Sequence, residues 1–391
     1  MKKIRIAFVH TTGLSTGGTE QFLQRLAVAL PKNKYEIDFY YANHTDNNRK
    51  QFVLENGVKI YKFRCGKIIE KNGVSVAFDC NFKKIFRNDY DLIQLGTDGV
   101  EIPYLNFICK TPIIDSIHYV NGVNNKYNIS RVLHISNFSK KVWIKKGGDK
   151  ERVEMISLPL KSDSFSFTDI RSSLGLESDC FIFGMHQANR DDIFSEIPLK
   201  AYKEIESGKN AYVLLNGSKL YRCQAKALNL KRVFFYDFVQ NNDEFYSILN
   251  SFNVYAHGRK DGELNSASIA EAMSLGLPII THPSKYFNGH LEVIADNGFI
   301  AKDYLEYAQY MRLLESNYQL RKKCGNASAK CFREKYDHDR QMRRIEDIYD
   351  CILDNPFPNR KRRIILDMGQ KFKNNILRLV IYILFYQKSK E

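Results

Sequence analysis

The 391-residue sequence has little of what marks special classes of protein. Nine prolines and 22 glycines are too few for a collagen-like or low-complexity chain, so a folded body is expected. Eight cysteines (Cys65, Cys80, Cys109, Cys180, Cys223, Cys324, Cys331 and Cys351) form no C-x-x-C pair. That speaks against a zinc ribbon or a disulfide framework and for reduced thiols in a cytosol. Long apolar runs are absent. Residues 4–9 are too short a run for a signal peptide and give way to polar His10-Thr11-Thr12. The apolar stretch at 379–386 has eight residues, where crossing a bilayer takes about 20. Acidic residues are the minority charge: 59 Lys+Arg against 44 Asp+Glu leave +15. Such a surplus favours anionic partners without choosing among nucleotide phosphates, nucleic acid and an acidic membrane face.

What is present is length and alternation. A chain of this size exceeds what one hydrophobic core serves, so two or three compact units are expected. The first third reads as strands at 4–9, 37–41, 58–63, 91–95, 112–118 and 132–136, mostly continuous apolar runs of the kind buried parallel strands carry. Helices are expected near 20–30 and at 137–146, the latter capped by Ser136 or Asn137. A Ser-rich connector at 158–169 precedes a second series, with strands at 181–186, 211–217, 233–236, 254–257 and 278–282. Helical stretches at about 194–208, 218–228, 243–250 and 267–275 separate them, and the chain beyond Asp303 reads as helical to Leu353. The fold class is therefore α/β, two doubly wound Rossmann-like domains facing across a cleft. The expected domains are 1–160 and 170–335, with a closing helix at 336–355 returning to the first and a basic, apolar helical tail at 356–391.

Open parallel sheets bind ligands beyond the carboxyl ends of their strands, which directs attention to two loops. The first, Thr11 to Glu20, follows the first strand; Gly17 and Gly18 let backbone approach a ligand, yet the spacing is neither G-x-G-x-x-G nor a P-loop. A flexible loop capped by Thr19 remains the plain alternative. The second runs from Asp261 to Pro278. Asn265 or Ser266 can cap a helix there, leaving the amides of Ser266, Ala267 and Ser268 as a seat for a diphosphate. Glu271 follows Glu263 by eight positions and can offer two acceptor oxygens to a ribose diol. A capped helix with Glu271 in an internal salt bridge stays open as the bland reading.

The Glu-x7-Glu spacing, the following Ala272-Met-Ser-Leu-Gly-Leu-Pro-Ile-Ile280, and the segment from Phe332-Arg-Glu-Lys-Tyr336 to Ile348-Tyr349 resemble glycosyltransferase family 4, retaining enzymes with the two-Rossmann GT-B fold. Gly17-Gly18-Thr-Glu-Gln-Phe-Leu23 and Ile113-Ile-Asp-Ser-Ile-His118 are also similar, so the resemblance spans roughly 4–350. It implies an acceptor-side first domain and a donor-side second one. Glu263 becomes the carboxylate near the donor sugar, Glu271 the ribose ligand, Arg190 the diphosphate cation and His118 an active-site group, with Gly17 and Gly18 lining the same cleft. The implied activity moves a sugar, a hexose or a relative, from a nucleotide-sugar donor to a glycan, lipid-linked or protein acceptor. No metal and no cofactor are expected: arginine and amides can hold the departing diphosphate. Asp191-Asp192 is read as a solvated helix start.

Departures from that pattern bear on activity. Ser195 stands where a second diphosphate cation is common, with Lys200 or Arg259 as substitutes; Asn265-Ser266 replaces Phe-Gly, and Asp237 a glycine. His10, His186 and His257, at strand ends, rank below His118 because no motif supports them. The rivals are a catalytically idle carbohydrate-binding or scaffold protein on the same fold and a sugar-nucleotide epimerase; no nucleic acid partner is expected. Residues 360–391 hold nine Lys/Arg against two acids, a net +7, so this tail is either a helix on an anionic membrane face or a closing helix with solvated charges. The expected location is cytoplasmic, with peripheral membrane contact left open.

Overall fold

A computed structural model describes residues 2–11, 13–15, 18–42, 49–66, 68–71, 74–77, 79–161, 166–239, 241–358 and 360–388. The chain forms two compact units: Met1–Pro159 with Asp339–Glu391, and Leu160–His338. The first begins β1 (Ile4–His10), α1 (Gly18–Ala29), β2 (Tyr35–Ala42), α2 (Lys50–Glu55) and β3 (Lys59–Phe63). It continues through β4 (Ile68–Lys71), β5 (Val74–Ala77), α3 (Phe82–Ile85), β6 (Leu92–Thr97), β7 (Ile113–Ile117), β8 (Ile129–His134), α4 (Asn137–Lys145) and β9 (Val153–Met155). The second carries β10 (Phe181–His186), α5 (Ile197–Lys203), β11 (Asn210–Leu215), α6 (Lys219–Ala227), β12 (Val233–Tyr236), α7 (Asn242–Asn250) and β13 (Val254–Ala256). Then come β14 (Gly262–Glu263), α8 (Ala267–Ser274), β15 (Ile279–Thr281), β16 (Phe287–Asn288), β17 (Gly298–Ile300), α9 (Tyr304–Ser316) and α10 (Tyr318–Lys335). Helices α11 (His338–Asp354) and α12 (Arg360–Lys388) return to the first unit.

Each unit is built on one parallel sheet. The orders are β3-β2-β1-β6-β7-β8-β9 and β12-β11-β10-β13-β15-β17, so in each the chain reverses direction of growth beside its first strand. That reversal parts the loops on either side and opens a ligand crevice at the carboxyl ends of the two central strands. Strand β1 shows why the apolar runs are continuous. Ile6 and Phe8 pack with Leu23 and Leu26 of α1 and Ile345 and Tyr349 of α11, while Ala7 and Val9 face Trp143 and Phe82 on the other side. Both faces are covered, so no polar alternation is needed.

The observed elements differ from the expected ones where local chemistry intervenes. The helix expected over 194–208 is the shorter α5, whose first turn takes Pro198, a residue that has no amide to lose there. The single helical stretch after Asp303 is three helices: Asn317 accepts the Leu320 amide (2.9 Å) and starts the second, and Leu160 bonds to the Tyr336 carbonyl (2.9 Å) and the His338 amide (3.1 Å) where the second gives way to the third. Ser136 caps α4 by accepting the Ser139 amide at 3.2 Å. The β4–β5 hairpin and α2 carry no strong periodicity and are absent from the sequence reading. Among the described residues, no helix is long and apolar enough to cross a membrane.

Candidate functional site

In the second unit the candidate site assembles on the loop between β13 and α8. Ser266 caps α8, its hydroxyl accepting the Ile269 amide at 3.1 Å. The first bond inside the helix runs from the Ala270 amide to the Ser266 carbonyl (3.1 Å), so the amides of Ala267 and Ser268 head the helix with no partner within it. A helix start of this kind attracts anions.

Glu263 lies just before that turn and is gripped from three directions. Its backbone amide donates to His290 Nδ1 at 3.3 Å, and His290 Nε2 lies 3.2 Å from the His282 carbonyl. His290 is therefore a neutral imidazole with its proton on Nε2. Arg259 Nη1 donates to Glu263 Oε1 at 3.2 Å, and the same guanidinium is clamped by Asp261 at 2.6 and 3.0 Å. His257 Nε2 stands 3.4 Å from Glu263 Oε2, an oxygen that is buried without a hydrogen-bonded donor. Burial pushes this carboxyl up, but His257, Arg259 and the Ser266 hydroxyl outweigh it and hold the acid at about 2. Glu263 is thus a fixed anion at physiological pH.

Glu271, on the second turn of α8, receives His186 Nε2 at 2.8 Å, leaving its other oxygen for a ligand. The imidazole is oriented in turn by Tyr255. That hydroxyl donates to the His186 carbonyl (3.1 Å), accepts the His186 amide (3.3 Å) and sits 3.2 Å from Nδ1. Strand β10 delivers the histidine and β13 the tyrosine, the two strands flanking the reversal.

The remaining expected residues are spread more widely. Arg190 is exposed and paired with Asp192 (Nε to Oδ1, 3.0 Å), within electrostatic reach of Arg259 and Asp261. Asp191 opens a short 3-10 turn and accepts the Ser218 hydroxyl at 2.5 Å, so the pair read as a solvated helix start is held by neighbouring side chains. Of the two cations named as substitutes at position 195, Lys200 is paired to Glu196 at 2.9 Å, whereas Arg259 touches Glu263 directly. Ser195 is buried and its hydroxyl is 2.8 Å from His282 Nε2. Asp237 is exposed beside Arg222 at 3.0 Å, and Asn265 accepts the Tyr336 hydroxyl at 3.1 Å. In the first unit, His118 follows β7 and packs its ring on Phe22 of α1, centroids 4.7 Å apart. Burial, with His10 nearby, lowers its pKa to about 3, so the ring is neutral. Gly18 opens α1, and nothing lies within 4 Å of where a Cβ would stand. Gly17 lies outside the described residues.

His186 and His257, placed below His118 in the sequence reading, hold the two acids, and His290, not singled out there, fixes the Glu263 backbone. Their common signal was position at or just beyond the end of a strand, and no spacing rule tied them to the acids.

These groups make the second unit pH-sensitive. Burial lowers His282 from 6.5 to about 4, and His290 is lowered for the same reason. Stabilisation from a group depressed in the folded state is complete above its unfolded pKa and is lost as pH falls toward the folded one. Glu263 has the same sign at lower pH. Thermal melting is therefore expected to weaken progressively below about pH 6.5, and His282→Asn should flatten that slope.

Residues 196–331 match the family model described as Glycosyl transferases group 1. Among curated proteins, none matches the chain by sequence. Solved structures share its fold. Anabaena HepE, crystallised with UDP, superposes with a TM-score of 0.72 at 17% identity, covering 89% of this chain and 100% of that one. The same protein has been solved with UDP-glucose, with a TM-score of 0.70 at the same identity and coverage. A glycosyltransferase from Rickettsia africae gives 0.71 at 15% identity over 91% of this chain and 100% of that one. Sucrose-phosphate synthase from Thermosynechococcus elongatus gives 0.65 at 14%, over 90% and 100%. The fold is GT-B: two Rossmann-like α/β units with a helical carboxyl-terminal region.

Proposed function

We propose that this chain is a retaining glycosyltransferase of the family 4 kind, moving a hexose or related sugar from a nucleoside-diphosphate donor to a glycan, lipid-linked or protein acceptor. The observation that carries the reading is one continuous segment: Glu263 held toward its ionised form, the helix-heading amides of Ala267 and Ser268, and Glu271 oriented by His186, all beside the reversal of a parallel sheet. The group 1 glycosyl transferase match over 196–331 covers this segment.

In this reading Glu271 binds the ribose diol with its free oxygen, and the α8 amides with Arg259 and Arg190 hold the diphosphate. As the bond from the anomeric carbon to the phosphate oxygen breaks, negative charge gathers on the leaving group and positive charge on the sugar. Arginines and amides stabilise the first, and the fixed Glu263 anion the second. The acceptor oxygen forms its bond on the face the phosphate leaves, and its proton passes to the departing phosphate oxygen. No metal enters this scheme, so turnover should survive a chelator. His118 is read as an active-site group of the first unit, and Gly17 and Gly18 as residues lining the same cleft.

UDP-glucose, bound in one of the HepE structures, is the first donor to try, with UDP, bound in another, as the nucleotide-only comparison. A bound donor should raise the melting temperature with the logarithm of its concentration above Kd, and the product's anomeric configuration by NMR should match the donor's. Glu271→Ala is expected to weaken donor binding by roughly tenfold to a hundredfold, the worth of one or two charge-assisted hydrogen bonds. Failure of every nucleotide sugar and nucleoside diphosphate to shift melting would sink the reading. Binding without transfer would favour an idle carbohydrate-binding protein, and interconversion of free donors an epimerase.

A further inference from the structure

We propose that α12 is a membrane-docking helix whose exposed apolar stripe enters the headgroup boundary of an anionic bilayer. A helix that merely closes a globular body turns its apolar residues inward. Among its described side chains, α12 does largely the reverse. Its buried positions are Arg363 (3% exposed), Asp367 (5%), Asn374 (4%) and Ile381 (3%). The polar ones are committed to partners. Arg363 donates to the carbonyls of Ile129 and Ser130, both at 3.2 Å, and Asn374 Nδ2 to Glu101 Oε2 at 2.8 Å. Arg378 lies 2.7 Å from the same Glu101 oxygen, and Lys371 2.9 Å from Asp367. These contacts set the rotation of the helix, so its opposite face is held outward.

That face carries Ile365 (70% exposed), Met368 (65%), Phe372 (75%), Ile376 (55%) and Leu379 (62%), with Ile364 (37%) at its edge. They recur at steps of three and four residues, one stripe about 20 Å long. The choice of occupant rests on charge. Residues 360–391 carry nine basic and two acidic residues; of the two acids, Asp367 is buried and paired, while Lys361 and Lys371 are exposed. An apolar stripe in a basic setting matches an anionic lipid surface, which takes up the side chains and balances the charge at once. A second copy of the chain would set like charge against like.

The full chain is tested by co-sedimentation with phosphatidylcholine–phosphatidylglycerol vesicles and with phosphatidylcholine alone. Binding to the anionic vesicles is expected to be roughly tenfold stronger or more, and to weaken as salt rises. Ile365→Asp with Phe372→Asp should lower it by at least about tenfold with melting unchanged, since both side chains already face water. Phe372→Trp should show a blue-shifted emission on anionic vesicles, over a constant background from the buried Trp143. Equal partition of the wild type and the double variant, or no preference for anionic lipid, would overturn the proposal. So would a dimer in lipid-free sedimentation velocity that the double variant dissociates, which would assign the stripe to a second copy.

Discussion

Glu263→Gln is expected to lower kcat by about a thousandfold while leaving donor binding within a few-fold of wild type. The substitution keeps shape and one acceptor oxygen for Arg259 but removes the charge, and charge is what the surroundings of Glu263 are arranged to preserve. Arg259 at 3.2 Å and His257 at 3.4 Å favour the anion strongly enough to offset burial, and the backbone is pinned by His290. A group kept ionised at such cost matters most when positive charge develops beside it. Arg259 stays anchored by Asp261 at 2.6 Å, so the loop should not collapse in the variant. Steady-state rates with a saturating donor, alongside donor-induced melting shifts, separate the two effects. Equal loss of kcat and of donor binding would recast Glu263 as a binding group, and unchanged rates would remove it from the chemistry.

Gly262→Ala should be nearly as damaging through an unrelated cause. Gly262 has φ +67°, and a Cβ there would stand 1.8 Å from the Phe287 carbonyl oxygen. The obstacle is backbone, paired to Gly262 in the short β14–β16 ladder, so no side-chain rotation relieves it. Left-handed strain and overpacking together should destabilise the second unit by roughly 2–4 kcal/mol. Because Glu263 is the next residue, the forced shift should also lower transfer by about a hundredfold. Gly175→Ala is the control: its φ is +65°, but nothing lies within 4 Å of the added carbon, so only the backbone strain of about 1 kcal/mol applies. Calorimetry and transfer rates on both variants test this, and similar behaviour of the two would refute the steric argument.

Much of the architecture was legible beforehand for a definite reason. Strands buried on both faces must be apolar throughout, and alternation of such runs with helices admits few topologies. Glu263, Ser266 and Glu271 were legible because they sit on one short segment, where a cap and the helical repeat relate them without help from the rest of the chain. The distant partners of those acids were not, although Arg259 stands only four positions before Glu263. His186 is 85 positions from Glu271, His290 is 27 from Glu263, and Ser195 is 87 from His282. Nothing local distinguishes a histidine at one strand end from a histidine at another.

The orientation of α12 belongs with these. Its composition announces a basic, apolar helix, and that description suits a closing helix as well as a docking one. Only the placement of Glu101 and of the Ile129 and Ser130 carbonyls, more than two hundred positions earlier, draws Arg363 and Asn374 inward and leaves Phe372 outside. The amino-acid order by itself determined the α/β alternation, the capped turn before α8 and the two acids on it, because hydrophobic period and capping act over a few residues. Tertiary structure alone decided that His186 meets Glu271, that His290 pins the Glu263 backbone, and which face of the last helix is left to water, because those are contacts between distant segments that form only once the sheets have assembled.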